Sequence, residues 1–172
     1  MPAQNRPLFK SCLWFFLMLV SMGLSADEGN SESAESSGWK IAGWNIQTSF
    51  YTHHWSENPD HNNHQKLIGP ELVFKNDYLV GLAIFKNSFD QPSQYLYIGK
   101  TWPLFHSKYF YFKLTAGLLH GYKGPYEDKI PMNGLGVAPA ILPSFGVRYK
   151  HAMMELQIAG TSALTLTGGL RF

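Results

Sequence analysis

Residues 163–172 alternate along their length. Leu164, Leu166, Leu170 and Phe172 share one parity, while Thr165, Thr167 and Arg171 share the other. A period of two marks a β-strand with one apolar face and one polar face. The same pattern recurs upstream. The second such segment puts Ile68, Pro70, Leu72 and Phe74 on its apolar parity, and the fifth puts Phe110, Phe112, Leu114, Ala116 and Leu118 there. The seventh places Ala152, Met154, Leu156 and Ile158 on one side, with Glu155 and Gln157 on the other. Eight strands are predicted, at 44–54, 66–75, 78–88, 93–103, 109–121, 137–149, 151–159 and 163–172. Most approach the ~9–11 residues that a tilted strand needs to cross a bilayer.

The connections alternate in length. A long loop over 55–65 is followed by a tight Asn76-Asp77 turn, and an intermediate 89–92 loop by a short turn near His106. A long loop over 122–136 then precedes a tight turn at Lys150 and a short one at 160–162. Long loops at one end and short turns at the other belong to an eight-stranded antiparallel up-and-down transmembrane β-barrel, with both termini on the periplasmic side. A strand closing on a terminal aromatic agrees with an outer-membrane barrel. A soluble lipocalin-like barrel would turn its apolar parity inward instead.

Composition refines this picture. The formal net charge of +2 is too small to favour nucleic acid. Residues 1–26 read as a secretory signal, with Arg6 and Lys10 before an apolar run over 12–24 and small residues at Ser25 and Ala26. Cys12, the single cysteine, falls inside that signal, so the mature chain is expected to hold no disulfide, thiol nucleophile or thiolate metal site. Residues 27–43 are expected to be a flexible lead-in, with 38–43 a candidate for a short amphipathic turn against the membrane. The barrel is expected over 44–172. The outer membrane of a bacterium is the expected location.

The inward parity divides by height. Lys113, Arg148, Glu155 and Arg171 fall in the lower half and are expected to neutralise one another, because lone buried charges are costly. The upper half carries small and apolar residues: Gly81, Ala83 and Phe85, then Gly117 and Leu119, then Ala138, Ala140 and Leu142. Such a lining makes either simple core packing or a dry slot for one hydrocarbon chain.

Chemistry gathers above that slot. The first, third and fifth strands all ascend to the same end, bringing His53-His54, Asn87-Ser88 and His120 together by topology. A histidine near a serine is the minimum for acyl transfer, since a hydroxyl is a weak nucleophile until a base takes its proton. The loop residues Asp60, His61 and His64 have metal-ligating side chains but no fourth ligand in view, so solvated polarity that could meet sugar or phosphate headgroups is the preferred reading. Lys123 and Lys129 could likewise meet lipid phosphates, or simply face solvent.

The run Phe85-Lys86-Asn87-Ser88-Phe89 resembles the Phe-Lys-Asp-Ser-Trp run of the PagP family, the outer-membrane lipid A palmitoyltransferases. Leu114-Thr115-Ala116-Gly117-Leu118 is similar to that family's fifth strand, and Pro139 to Tyr149 to its proline-rich sixth. The closing Leu170-Arg171-Phe172 also agrees, and the matches lie in order from Trp44 onward. The resemblance implies a monomeric acyltransferase without cofactor or bound metal, moving a palmitoyl-type chain from an outer-leaflet phospholipid to lipid A. Carried across, it makes Ser88 the catalytic serine, His54 the base with His53 as fallback, and Asn87 the counterpart of the family's Asp. Gly81, Ala83 and Phe85 would touch the acyl chain.

Three departures stand out. Asn87 can orient an imidazole or donate to an oxyanion, but cannot offset positive charge as an Asp does. Ala159 replaces a family proline beside one lateral gate, while Pro139 and Pro143 are kept. The family's glycine that gauges acyl length aligns with Gly99 or Thr101. Two rival readings remain at this stage: a lipid A deacylase, and a small non-catalytic outer-membrane barrel.

Overall fold

The computed structural model describes residues 39–56, 59 and 61–172. The expected signal, most of the lead-in and Asp60 lie outside the described residues. Eight strands form one closed barrel in sequence order: β1 (Ile41–His54), β2 (Ile68–Phe74), β3 (Tyr78–Lys86), β4 (Pro92–Pro103), β5 (Phe110–His120), β6 (Val137–Tyr149), β7 (Ala152–Ala159) and β8 (Ala163–Arg171). Every neighbouring pair is antiparallel, and β1 closes on β8. Ile41 to Gly43 are part of β1 rather than a separate turn.

The apolar parity faces out. Ile98, Leu118, Ile141 and Phe145 are each at least half exposed, and they alternate with inward neighbours such as Tyr97, Lys113 and Ser144. No helix among the described residues is long and apolar enough to cross a membrane. The small turns use the residue types that suit them. Asp77 takes a left-handed φ of 65° at the β2–β3 turn, and Asn76 Oδ1 accepts the Tyr78 N–H at 3.3 Å.

One irregularity decides the chemistry at the upper end. Ser49 pairs with Thr167 but Tyr51 pairs with Leu166, so Phe50 is an extra residue in β1. This β-bulge reverses the facing of everything after it. Below it Asn45 and Gln47 point inward; above it Thr52 and His54 do. His53 is left exposed on the outer face. Gly168 of β8 makes room for the displaced Phe50 ring, which would collide with any Cβ there.

The lower interior is sealed by an ionic cluster in which Lys113 and Glu155 meet as expected, while Glu71 takes the place of Arg148 and Arg171. Lys113 Nζ lies 2.9 Å from Glu71 Oε1 and 2.5 Å from Glu155 Oε2, all three buried. Asn45, Gln47 and Tyr97 donate to the Glu71 carboxylate, and Tyr111 Oη donates to Glu155 Oε1 at 2.7 Å. Arg148 and Arg171 stay outside this cluster. Arg148 lies over the Tyr111 ring and donates to the Lys108 carbonyl, and Arg171 borders a cavity of only about 20 Å³. Near the lower rim water can solvate a guanidinium, so neither arginine needs a buried carboxylate.

Candidate functional site

Above the ionic cluster a cavity of about 630 Å³ fills the upper half of the barrel. Leu67, Ala83, Phe85, Leu119, Ala140 and Leu142 give it apolar walls. Its floor is Tyr97, with Gln47, Lys113 and Thr115 beside it. The Tyr97 ring lies where a Cβ on Gly81 would be, so Gly81 makes room for the floor instead of lining the slot. Of the three residues expected to touch a chain, Ala83 and Phe85 face the cavity and Gly81 does not. Gly99 is packed against Leu79 and Thr115, so the side chain that limits depth is Tyr97, not Gly99 or Thr101. Tyr97 is held rigidly, stacked on Tyr95 at 4.8 Å and donating to Glu71.

The expected histidine and serine meet at the mouth. Ser88 Oγ and His54 Nε2 are 2.8 Å apart, and His54 Nδ1 lies 2.9 Å from Asn63 Oδ1. An amide oxygen only accepts, so Nδ1 carries the proton and Nε2 offers its lone pair to the Ser88 hydroxyl. This is a base-and-hydroxyl pair with an orienting third member. Both histidine and serine border the cavity.

The rim loop sets this geometry. Residues 62–65 bridge β1 and β3: Thr52 N donates to Asn63 O, Asn62 N to Ser88 O, and Lys86 N to Gln65 O. One backbone segment thereby spaces β1 and β3 and delivers Asn63. Asn87, in contrast, points away from His54. Its Oδ1 accepts from the backbone N–H groups of Phe89 and Gln91, closing the turn that presents Ser88. Orientation of the imidazole therefore falls to Asn63, and Asn87 acts as turn scaffold.

Two further side chains, His61 and Tyr122, were not singled out from the sequence in these roles. His61 stacks on His54 with ring centroids 4.2 Å apart, and is backed edge-on by Phe89. His64 turns the other way, to the exposed Tyr51, so His61 and His64 do not converge on one point. No group of three metal-ligating side chains occurs among the described residues. Tyr122 is packed beside Ser88 and borders the cavity; burial raises its phenol above the usual range, with Ser88 opposing the shift. It remains a protonated donor at neutral pH.

β1 runs 14 residues, longer than the ~9–11 that cross a bilayer, and His54 ends it at the rim, beyond such a span. Burial there holds the His54 imidazole below its usual range, the Asn63 hydrogen bond works against this, and the neighbouring His61 and His53 add to it. A neutral imidazole is the form that accepts a proton.

The cavity has a side opening as well as a mouth. β6 pairs with β7 only from Ser144–Gln157 downward, leaving 137–143 bonded to β5 alone. Ile141, on the outer face, reaches the cavity edge on one lip, and residues 159–162 form the other. Pro139 and Pro143 lie in this stretch and supply no ladder N–H. His120 ends β5 nearby but makes no hydrogen bond to His54 or Ser88. Neither the models of known protein families nor the curated proteins that were searched give a match to this chain.

Proposed function

We propose that this chain is a bacterial outer-membrane acyltransferase of the PagP type, moving a palmitoyl-type chain from a phospholipid to lipid A. The observation that carries the reading is the Asn63–His54–Ser88 alignment directly over an apolar sleeve closed at its base. An outward apolar belt on a closed eight-stranded barrel supports placement in a membrane. The seam above Ser144 gives a lipid tail a sideways way in, without leaving the hydrocarbon.

In this reaction Ser88 Oγ adds to the donor's ester carbonyl while its proton passes to His54 Nε2. The imidazolium returns that proton to the departing glycerol oxygen, leaving the acyl group on Ser88. A lipid A hydroxyl then attacks the same carbonyl, giving its proton to His54, and Ser88 recovers its hydroxyl. Asn63 keeps the ring in the accepting tautomer, and Tyr122 is placed to donate to the oxyanion. No cofactor is required, because an ester is already activated for exchange.

The test is mass spectrometry of lipid A from cells carrying the chain, lacking it, or carrying Ser88→Ala. A gain of one acyl mass only with the intact chain is expected. A loss of acyl mass would make the protein a deacylase. Identical spectra in all three would refute lipid A chemistry and favour a non-catalytic barrel.

A further inference from the structure

The lower end of the barrel is strongly cationic, and neither the catalytic mouth nor the internal ionic cluster uses that charge. Up-and-down topology brings Lys40, Lys75, Lys100, Lys108 and Lys150 to this end, with Arg148 and Arg171 just inside it. Asp77 is the one exposed carboxylate side chain among the described residues there. Glu71 and Glu155 are buried against the single Lys113, so that cluster carries one net negative charge, fewer than the two positive charges of Arg148 and Arg171 beside it. At the upper end Lys66, Lys86, Lys123 and Lys129 face Asp90, Glu127 and Asp128, a near balance among the described residues.

The second observation is where these cations are held. All five cation–π contacts among the described residues lie at the lower end. Lys100 Nζ sits 4.5 Å from the Tyr78 ring centre and 5.9 Å from that of Trp102; Lys108 lies over Tyr109, and Lys150 over Tyr149. Tyr78, Trp102, Tyr109 and Tyr149 are exposed on the outer surface. Amphipathic rings of this kind settle at the level of lipid headgroups, and a lysine stem beside them carries its ammonium to the same depth. Three of these cations, Lys100, Lys108 and Lys150, are thus held beside exposed aromatics in a ring at headgroup height.

We infer that this ring is a collar for anionic phospholipid headgroups in the leaflet around the lower end. The occupant follows from the chemistry. Ammonium groups at interfacial depth, spaced around a circumference, match the phosphates and net negative charge of an acidic lipid annulus. The inference rests on the membrane placement proposed above.

The test uses the whole barrel with Trp55→Phe, which leaves the tryptophans of the lower end to report. It is reconstituted in phosphatidylcholine vesicles containing a minor fraction of brominated phosphatidylglycerol or brominated phosphatidylcholine. Stronger quenching by the glycerol lipid is expected, fading in 1 M salt as the Debye length contracts to about 3 Å. Replacing Lys100, Lys108 and Lys150 by Gln is expected to lower the relative affinity for phosphatidylglycerol by on the order of a hundredfold, at about fivefold per interfacial charge. Lys66→Gln with Lys123→Gln should leave it unchanged.

Equal quenching by both lipids around an inserted barrel overturns the collar, and the salt series with the Trp55→Phe barrel alone is enough to show it. Loss of preference on adding inorganic phosphate at matched ionic strength also overturns it, in favour of a simple phosphate site. Failure of the barrel to insert, read by vesicle flotation, overturns the membrane placement itself and the collar with it.

Discussion

Replacing Ala83 with leucine would put an isobutyl group into the sleeve at a known depth. Ala83 precedes Ser88 by five residues along the chain, and Gly81, level with the Tyr97 floor, by seven. At about 3.3 Å per residue and a tilt near 40°, those levels lie roughly 13 and 18 Å beneath the serine. An extended alkyl chain advances about 1.3 Å per carbon for C–C bonds of ~1.5 Å. The native sleeve therefore takes about 14 carbons below the ester, and the variant about 10. Excluding four methylenes at ~0.8 kcal/mol each costs about 3 kcal/mol, or on the order of a hundredfold in kcat/KM for the longest donors. Purified barrel in detergent, given phospholipids of graded chain length, should show this as a shift in preference toward short chains. Short-chain rates should stay near native. An unchanged length profile would refute the reasoning, because the chain would then not pass Ala83. An equal loss at every length in a folded variant would refute it too.

Other perturbations probe the mouth and the seal. Asn63→Ala frees the His54 ring and is expected to lower kcat by about 100-fold, the low end of what a positioned base supplies, with KM little changed. Because His54 must be neutral to accept a proton and its surroundings hold its pKa down, activity should persist below the ordinary imidazole range and fall as pH drops through the lowered value. His61→Phe keeps the stack but removes a neighbouring imidazole, so the acid limb of the kcat/KM profile should move to higher pH; an unmoved limb would deny His61 any influence. Lys113→Met strands two buried carboxylates and is expected to cost about 3–5 kcal/mol, read by urea unfolding in lipid vesicles.

Much of this barrel was legible because alternation is a direct imprint of a two-faced strand. The range of β6 was predicted to the residue, and the other strands to within about three residues at either end. What the alternation could not supply was any event that breaks it. Phe50 as an extra residue is invisible to a parity count, yet it selects His54 over His53; two consecutive aromatics, Phe50-Tyr51, both exposed, were the available hint. Glu71 escaped notice because β2 was read only for its apolar face. Asn63 escaped because its loop looked solvated, whereas its backbone is stitched to both β1 and the end of β3. Tyr97 was missed for a different reason: pattern tells which side chains enter a lumen, not which one reaches across it.

The Lys113–Glu71–Glu155 seal has a consequence for what the barrel can handle. A cylinder blocked at its waist moves nothing from one side of a membrane to the other, and no gradient can be coupled to it. Under the proposed function, exchange is then confined to molecules that reach the open upper half, and donor and acceptor must both approach from that side.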